Sequence, residues 1–363
     1  MLISLLTLIF CRPFISSLAF PTANLIYSSV LLAFLLSWII QKGLSIEALR
    51  DIKYALLLFM VSILLSLIFS QDKMHSLREI YQYVSGILLC GIAASLPRDN
   101  KKKVIKCILL AGFLVSLLAL YQYFFTFNNL LRLIHQGTLS VNNFALEYIE
   151  RRRPFFPFVT PNILAGFLGM IIPLAFYQKK NIWLAAPMLI AFFLAKSLGA
   201  LFSLLIGMFL YFYLKGRLDR KKILSLMALG AAIILVAALR NIGQKQHLQP
   251  LFSAVMRLHY WQEAWKVIIK HPLTGIGPGN FNLTLSRYAH NSYLQIWAET
   301  GILGIISFLL LAFFSIKAGI KNKAFLLACA NIIFLAHNLV DFSFFLPEVS
   351  LIWWVILGLA LAG

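Results

Sequence analysis

Apolar runs separated by short polar linkers recur along the whole chain. A helix needs about 20 apolar residues to cross a bilayer, and most of these runs approach that length. The pattern predicts helices near 2–20, 24–41, 54–70, 80–96, 104–125, 162–177, 182–196, 197–214, 223–240, 291–316, 324–346 and 348–362. The stretch 182–214 also reads as one kinked helix in place of two. The expectation is an all-α, polytopic membrane protein of about twelve transmembrane helices, one integral domain over 1–363, closed by the helices of 291–363. Two linkers are long, 126–161 and 241–290, and long linkers tend to be functional or disordered. In the second, AVMRLHYWQEAWKVIIKH places Val255, Leu258, Trp261, Trp265, Ile268 and Ile269 in an apolar stripe at helical spacing. That predicts an amphipathic helix lying on the membrane surface or on the top of the bundle. No repeat of 20–50 residues is present.

Composition agrees with the pattern. Of 363 residues, 61% are hydrophobic and 12% charged, with a mean hydropathy of +0.86; soluble domains carry about 25% charged residues. A soluble domain, a nucleic-acid-binding module and a single-pass anchored enzyme are excluded. The net charge of +20 lies in clusters between apolar runs, as membrane topology and anionic lipid require. With the N-terminus inside, the linkers 41–53, 97–106, 178–181, 215–222 and 317–323 hold 18 of the 32 Lys and Arg residues. Both long loops then face outward, to the periplasm of a Gram-negative cell. A single helix over 182–214 would turn KAGIKNK outward and weaken the bias, which favours two. Arg12, Lys73, Arg78 and Arg132 have no role that the pattern names. MLISLLTLIFCRPF lacks a basic n-region and reads as a first spanning helix, not a cleaved signal. Cys11, Cys90, Cys107 and Cys329 lack metal-type spacing, so neither a disulfide nor a zinc site is expected.

Candidate chemistry gathers in the outward segments. His290 stands where HPLTGIGPGNF gives way to a long apolar helix, with Asn291 or Ser292 suited to its N-cap. A helix N-terminus disfavours an extra proton, so a neutral imidazole there is fit to take one from a hydroxyl. An interfacial histidine capping a helix is the other reading. Glu299, nine residues on, points to the opposite side, and a structural hydrogen-bonding role is expected for it; Gly301 is expected to be structural. Arg257 heads the amphipathic helix one turn before Trp261, and its fork is fit to grip a diphosphate or to snorkel to lipid headgroups. Arg151, Arg152 and Arg153 suit an anionic headgroup, with a plain lipid contact as the expected use. Lys196, in LAKSLGA, reads as an interfacial anchor at a turn. His337 and Asp341 share a helix face, and intramembrane ionisable groups are functional candidates. There is no DxD, HExxH or Walker-type loop, so no nucleotide–metal or zinc-hydrolase site is indicated, and no cofactor is expected.

Six stretches carry a resemblance: PNILAGFL (161–168), KSLGALFSLLIG (196–207), RLHYWQEAW (257–265), HPLTGIGPGNF (271–281), HNSYLQIWAETGILG (290–304) and HNLVDFSF (337–344). Together they resemble the O-antigen ligase family, which includes O-antigen polymerases and related bacterial oligosaccharyltransferases. The resemblance implies a GT-C-type glycosyltransferase of the cell inner membrane. It would move a glycan from undecaprenyl diphosphate to an acceptor hydroxyl on the periplasmic face, without metal or nucleotide sugar. Its expected partners are that donor, a lipid A-core or other glycan acceptor, and membrane lipids, with no nucleic acid. The family's histidine corresponds to His290 and its second arginine to Arg257. Its first arginine, in a Ser-Arg-small pattern, is absent: the chain reads Ser197-Leu198-Gly199. Lys196 or an arginine of 151–153 would have to stand in, or the activity is altered. Lys196, Arg153, Asn291, Trp261, His337 and Asp341 are the expected substrate-binding set. Competing readings are a polymerase, a transporter or flippase using His337, Asp341 and Glu299 as an ion path, and a non-catalytic relative.

Overall fold

Each predicted apolar segment holds a helix, and no strand occurs among the described residues. The computed structural model describes residues 1–141, 143–216, 219–241, 252–283 and 286–361. Of the expected 241–290 loop, 242–251 and 284–285 lie outside the described residues, as do 362 and 363 at the end of the last segment. The helices begin with α1 (Leu2–Cys11), α2 (Pro21–Lys42), α3 (Lys53–Ile68), α4 (Lys73–Ser95) and α5 (Arg98–Tyr121). They continue with α6 (Phe127–His135), α7 (Asn143–Glu150), α8 (Pro161–Ile171), α9 (Ala185–Leu194) and α10 (Leu198–Leu214). The last are α11 (Arg220–Asn241), α12 (Phe252–Lys270), α13 (Ser292–Lys321), α14 (Phe325–His337) and α15 (Pro347–Leu361).

Four helical stretches among the described residues are long and apolar enough to cross a membrane: Pro21–Lys42, Arg98–His135, Arg220–Ala238 and Ser292–Lys321. Six others are apolar but shorter, Leu2–Phe14, Lys53–Ile68, Pro161–Tyr177, Leu198–Leu214, Phe325–His337 and Pro347–Leu361. The expected boundaries need correction where proline or side-chain hydrogen bonding intervenes. The first helix leaves α geometry before Pro13, and the segment from 161 tightens to a 3₁₀ turn at Pro173, because proline cannot donate the interior helical bond. The segment expected over 324–346 ends at His337. Residues 182–214 form two helices, broken at Lys196, which has a φ of 50°. The expected loop 126–161 is helical to His135 and again over α7.

Helix α15 runs through the middle of the bundle and is buried along its described length. Its Trp353 indole donates to Asn331 (2.7 Å), whose amide donates to Ser315 (2.8 Å), joining three helices through polar groups. Such bonds count where lipid offers no alternative partner. Outward positions such as Leu25, Ile26, Ile40 and Ile234 are exposed and apolar, as a lipid-facing surface must be. Polar contacts separate the two ends of the bundle. At one, Lys321 pairs with Asp51 (3.2 Å) and Asn322 donates to the Ala360 and Leu361 carbonyls. At the other, the starts of α4, α8, α10 and α13 meet the ends of α3 and α14, with α7 and α12 beside them. The candidate residues collect at this second end.

Candidate functional site

The site rests on a break in α13. Gly301 adopts φ 70° and ψ −172° inside the helix, a conformation that glycine alone reaches without strain, and a Cβ there would strike the Leu273 carbonyl. The interruption frees helix carbonyls for the HPLTGIGPGNF loop. Ile276 N donates to Ala298 O and Gly277 N to Glu299 O (both 3.0 Å), while Ile302 N donates to Pro272 O (2.9 Å). The Glu299 carboxylate accepts from Gly279 N and from the Gln295 amide, each at 2.9 Å. From below, Ser76 donates to Pro278 O and Asn280 donates to Ser70 Oγ. The loop before His290 and the first turns of α13 after it are therefore held by hydrogen bonds to the bundle.

Asn291 caps α13, its side-chain oxygen accepting from the Tyr293 and Leu294 amides at 3.0 and 3.1 Å. His290, just before it, takes φ 51°. Left-handed backbone is uncommon outside glycine and is often found where function demands it. The imidazole stacks on Tyr260 at 5.3 Å and meets the Phe342 ring edge-on at 4.7 Å. Burial between these rings pushes its pKa down to about 4; the Asp341 carboxylate raises it and the Arg257 charge lowers it. The imidazole is neutral at physiological pH, with burial as the main cause ahead of any helix field.

Arg257 lies one turn from Tyr260 on α12, and its Nε donates to Val340 O at 2.9 Å. Burial lowers its pKa while Asp341, Tyr148 and Tyr260 raise it; a guanidinium remains charged throughout. Trp261 is half-buried, and its indole nitrogen finds no hydrogen-bond partner among the described residues. On the other side, the turn after α14 is fastened to the start of α13. Ser292 Oγ donates to Asn338 Oδ1 (2.6 Å), and Asp341 Oδ1 accepts from Phe342 N (2.8 Å) and Ser343 Oγ (2.7 Å). The other Asp341 oxygen stands 3.7 Å from His337 Nε2. His337 is buried where α14 passes α8 and α10, with Gly166 leaving room for its ring and Gly199 for the Val340 side chain.

The cationic side is built from two turns. Between α5 and α6 the helix widens to a π segment, Gln122–Thr126, a device frequent at functional sites. There Gln122 Oε1 accepts from the Phe155 and Phe156 amides at 2.8 and 2.9 Å, clamping the turn that carries the three arginines. Those arginines diverge. Arg151 pairs with Glu147 (3.2 Å) and Arg152 donates to Asn128 (2.6 Å). Arg153 is 2% exposed; its Nε donates to Ala195 O (3.0 Å), another guanidinium nitrogen donates to Asn162 (3.2 Å), and the Tyr148 ring lies beneath it at 5.4 Å. The plain lipid contact expected for this run is thus wrong for Arg153, because a buried guanidinium with these partners faces protein. Lys196 follows Ala195 and donates to Arg151 O at 3.1 Å. Burial first, then Arg153 and Arg151, lower its pKa. Its ammonium is fixed to the arginine turn, which departs from the simple interfacial anchor expected. Leu198 opens α10 behind the Ser197 N-cap.

The arginine turn and the His290 cluster lie at the same end of the bundle: Arg153 sits over the Tyr148 ring of α7, Arg257 donates to Val340 O in the turn that carries Asp341, and the charges of Arg153 and Arg257 both act on Tyr148. Residues 183–309 match the O-antigen ligase family. No curated protein matches the chain. The O-antigen ligase match runs from just before α9 to the middle of α13 and includes Lys196, Leu198, Arg257, His290, Glu299 and Gly301. Arg153, His337 and Asp341 lie outside it and reach the site through the fold. Proteins of this family are glycosyltransferase-like enzymes, and the apolar helices here are those of an integral membrane protein. Among the described residues no group of three or more His, Cys, Asp or Glu side chains is placed to hold a metal ion. Sequence reasoning passed over Tyr260, Tyr148, Phe342 and Gln122. Tyr260 had a signal, its place three residues after Arg257 on one helix; the others become visible only once distant turns meet.

Proposed function

We propose that the chain is a membrane glycosyltransferase that moves a glycan from undecaprenyl diphosphate to an acceptor hydroxyl at the periplasmic face, as an O-antigen ligase acting on lipid A-core. The observation that supports this most is the stack of Tyr260 on His290 at the bundle end, with Arg257 one turn from Tyr260 on the same helix and bonded to Val340 O, all three within the matched segment. The acceptor oxygen attacks the anomeric carbon, and the bond from that carbon to the diphosphate oxygen breaks. One displacement inverts the configuration. Negative charge grows on the departing diphosphate, and Arg257 faces it as a fixed cation. Each preorganised group of this kind contributes about 3–4 kcal/mol of transition-state stabilisation. His290 accepts the hydroxyl proton. With a pKa near 4 it is a weak base, so it first orients the hydroxyl and receives the proton late, when the forming bond has acidified the oxygen.

Lys196 takes the part of the cation missing at Leu198. It is the partly exposed member of the pair, whereas Arg153 is enclosed; Arg153 positions Lys196 by gripping the carbonyl before it. Asn291, Trp261, His337 and Asp341 shape the pocket around the substrate, with Asp341 balancing the charge of Arg257. Purified protein given an undecaprenyl-diphosphate glycan and lipid A-core should form product, and His290→Ala and Arg257→Ala should abolish transfer while remaining folded. Full transfer by both variants sinks the proposal. A deletion strain separates ligase from polymerase: lost ligase leaves lipid-linked polymer, whereas lost polymerase leaves lipopolysaccharide capped with one repeat.

A further inference from the structure

Helix α12 presents three faces. Tyr260, Ala264 and Ile268 are buried against the loop and α13. Val255, Leu258, Trp265 and Ile269 are exposed and apolar, so the apolar stripe is split between core and surroundings. The third face carries His259, Glu263, Lys266 and Lys270, spaced four, three and four residues apart, which places them in one row. That row lines an open groove of about 280 Å³, which Tyr260, Val267, Asn282 and Leu283 also line. Ligand pockets begin at about 300 Å³, so the space suits one sugar residue with a substituent.

We infer that this groove binds a sugar carrying a phosphate or carboxylate, next to the acceptor hydroxyl that His290 engages. Two observations direct the choice. Tyr260 is shared: it lines the groove and stacks on His290, so a sugar seated there touches the residue that packs against the reacting group. The charge is unbalanced, because Glu263 is taken by Lys266 at 2.6 Å while Lys270 makes no ion pair among the described residues. A lysine in the last helical turn complements the helix dipole; that accounts for Lys270 at its position but not for a groove facing it. Amide, carboxylate and imidazole groups around the same space offer the donors and acceptors that sugar hydroxyls need.

The assignment to the acceptor rests on the transfer reading; the binding itself does not. Saturation-transfer NMR on the full-length protein in detergent, with glucose 6-phosphate and glucose as probes, tests it. Glucose 6-phosphate should give a clear signal that falls at least fivefold in the Lys266→Gln/Lys270→Gln variant and persists in His290→Ala, with glucose weak throughout. Both lysines carry charge at the surface, so the double variant should fold. An unchanged signal in that variant, equal binding of glucose, or loss of signal only in Arg257→Gln overturns the inference. Should His290→Ala abolish transfer while the probe still binds, both readings stand. Should transfer survive His290→Ala and the probe bind as expected, only the transfer reading falls.

Discussion

The rings of Tyr260 and His290 lie 5.3 Å apart with 20° between their planes, and this stack fixes the plane in which the imidazole can meet a hydroxyl. Aromatic pairs contribute about 0.5–1.5 kcal/mol beyond the area they bury. Tyr260→Leu should therefore lower kcat by about 2- to 12-fold, while Tyr260→Phe, which keeps the ring, should stay within twofold. Equal loss in both variants would show that the phenol and not the stack matters.

On the proposed transfer reading, the pKa of His290, about 4, sets the acid limb of the reaction. The neutral imidazole is the working form, so kcat/KM should be flat from pH 5 to 8 and fall as pH drops through about 4. An ordinary histidine would place that fall near 6.5. The neighbouring charges give the signs for variants. Removing the Arg257 cation, which lowers the pKa, should move the histidine titration up; Asp341→Asn removes a carboxylate that favours the protonated ring and should move it down. Ring-proton NMR titration reads both shifts without requiring turnover.

Lys196 and Arg153 should respond differently to substitution. On the same proposed reading, Lys196→Gln removes a charge from beside the donor diphosphate and is expected to lower kcat/KM about 100-fold, the magnitude typical of one lost electrostatic group. Arg153→Lys keeps a charge but loses the fork that holds Ala195 O and Asn162, so it should cost about tenfold, read as a change in geometry. Leu198→Arg introduced into Lys196→Gln should restore transfer. If Leu198→Arg gives activity where the native chain has none, the native site is a dead relative.

These residues also show what was legible in the sequence. Fifteen α-helices stand among the described residues where about twelve spanning helices were expected, and four stretches are long and apolar enough to cross a membrane. The order of the apolar helices followed from runs of apolar positions, since only helices satisfy their own backbone in lipid. Their ends did not. FLAHNLVDFSFF is apolar enough to continue α14, yet Asn338 and Asp341 commit their side chains to Ser292, Phe342 and Ser343, and the chain turns. His290 and Arg257 stand in recognisable local contexts. Arg153 was named from its arginine run, but its burial was hidden because its position depends on Gln122, 31 residues earlier, and the role of Arg12 was hidden because its partner is 336 residues away.

Arg12 had no role in the pattern, and the structure supplies one. It is 1% exposed and pairs with Glu348, also 1% exposed, at 3.4 Å, while donating to Asn24 at 2.7 Å and to Ile15 O at 3.1 Å. Glu348 also accepts from Ser17 N at 3.1 Å. One buried pair thus ties the turn after α1 and the start of α2 to the first turn of α15, the helix at the centre of the bundle. Removing one partner leaves a buried charge uncompensated, at a cost of roughly 3–5 kcal/mol. Glu348→Ala and Arg12→Ala should each lower the thermal midpoint in detergent markedly. An Arg12→Met/Glu348→Leu double variant, which removes both charges, should recover much of the loss, since the pair's own net contribution is small once its desolvation is counted. If instead the double variant is as unstable as the sum of the singles, the two residues act independently and the tie between α1 and α15 lies elsewhere.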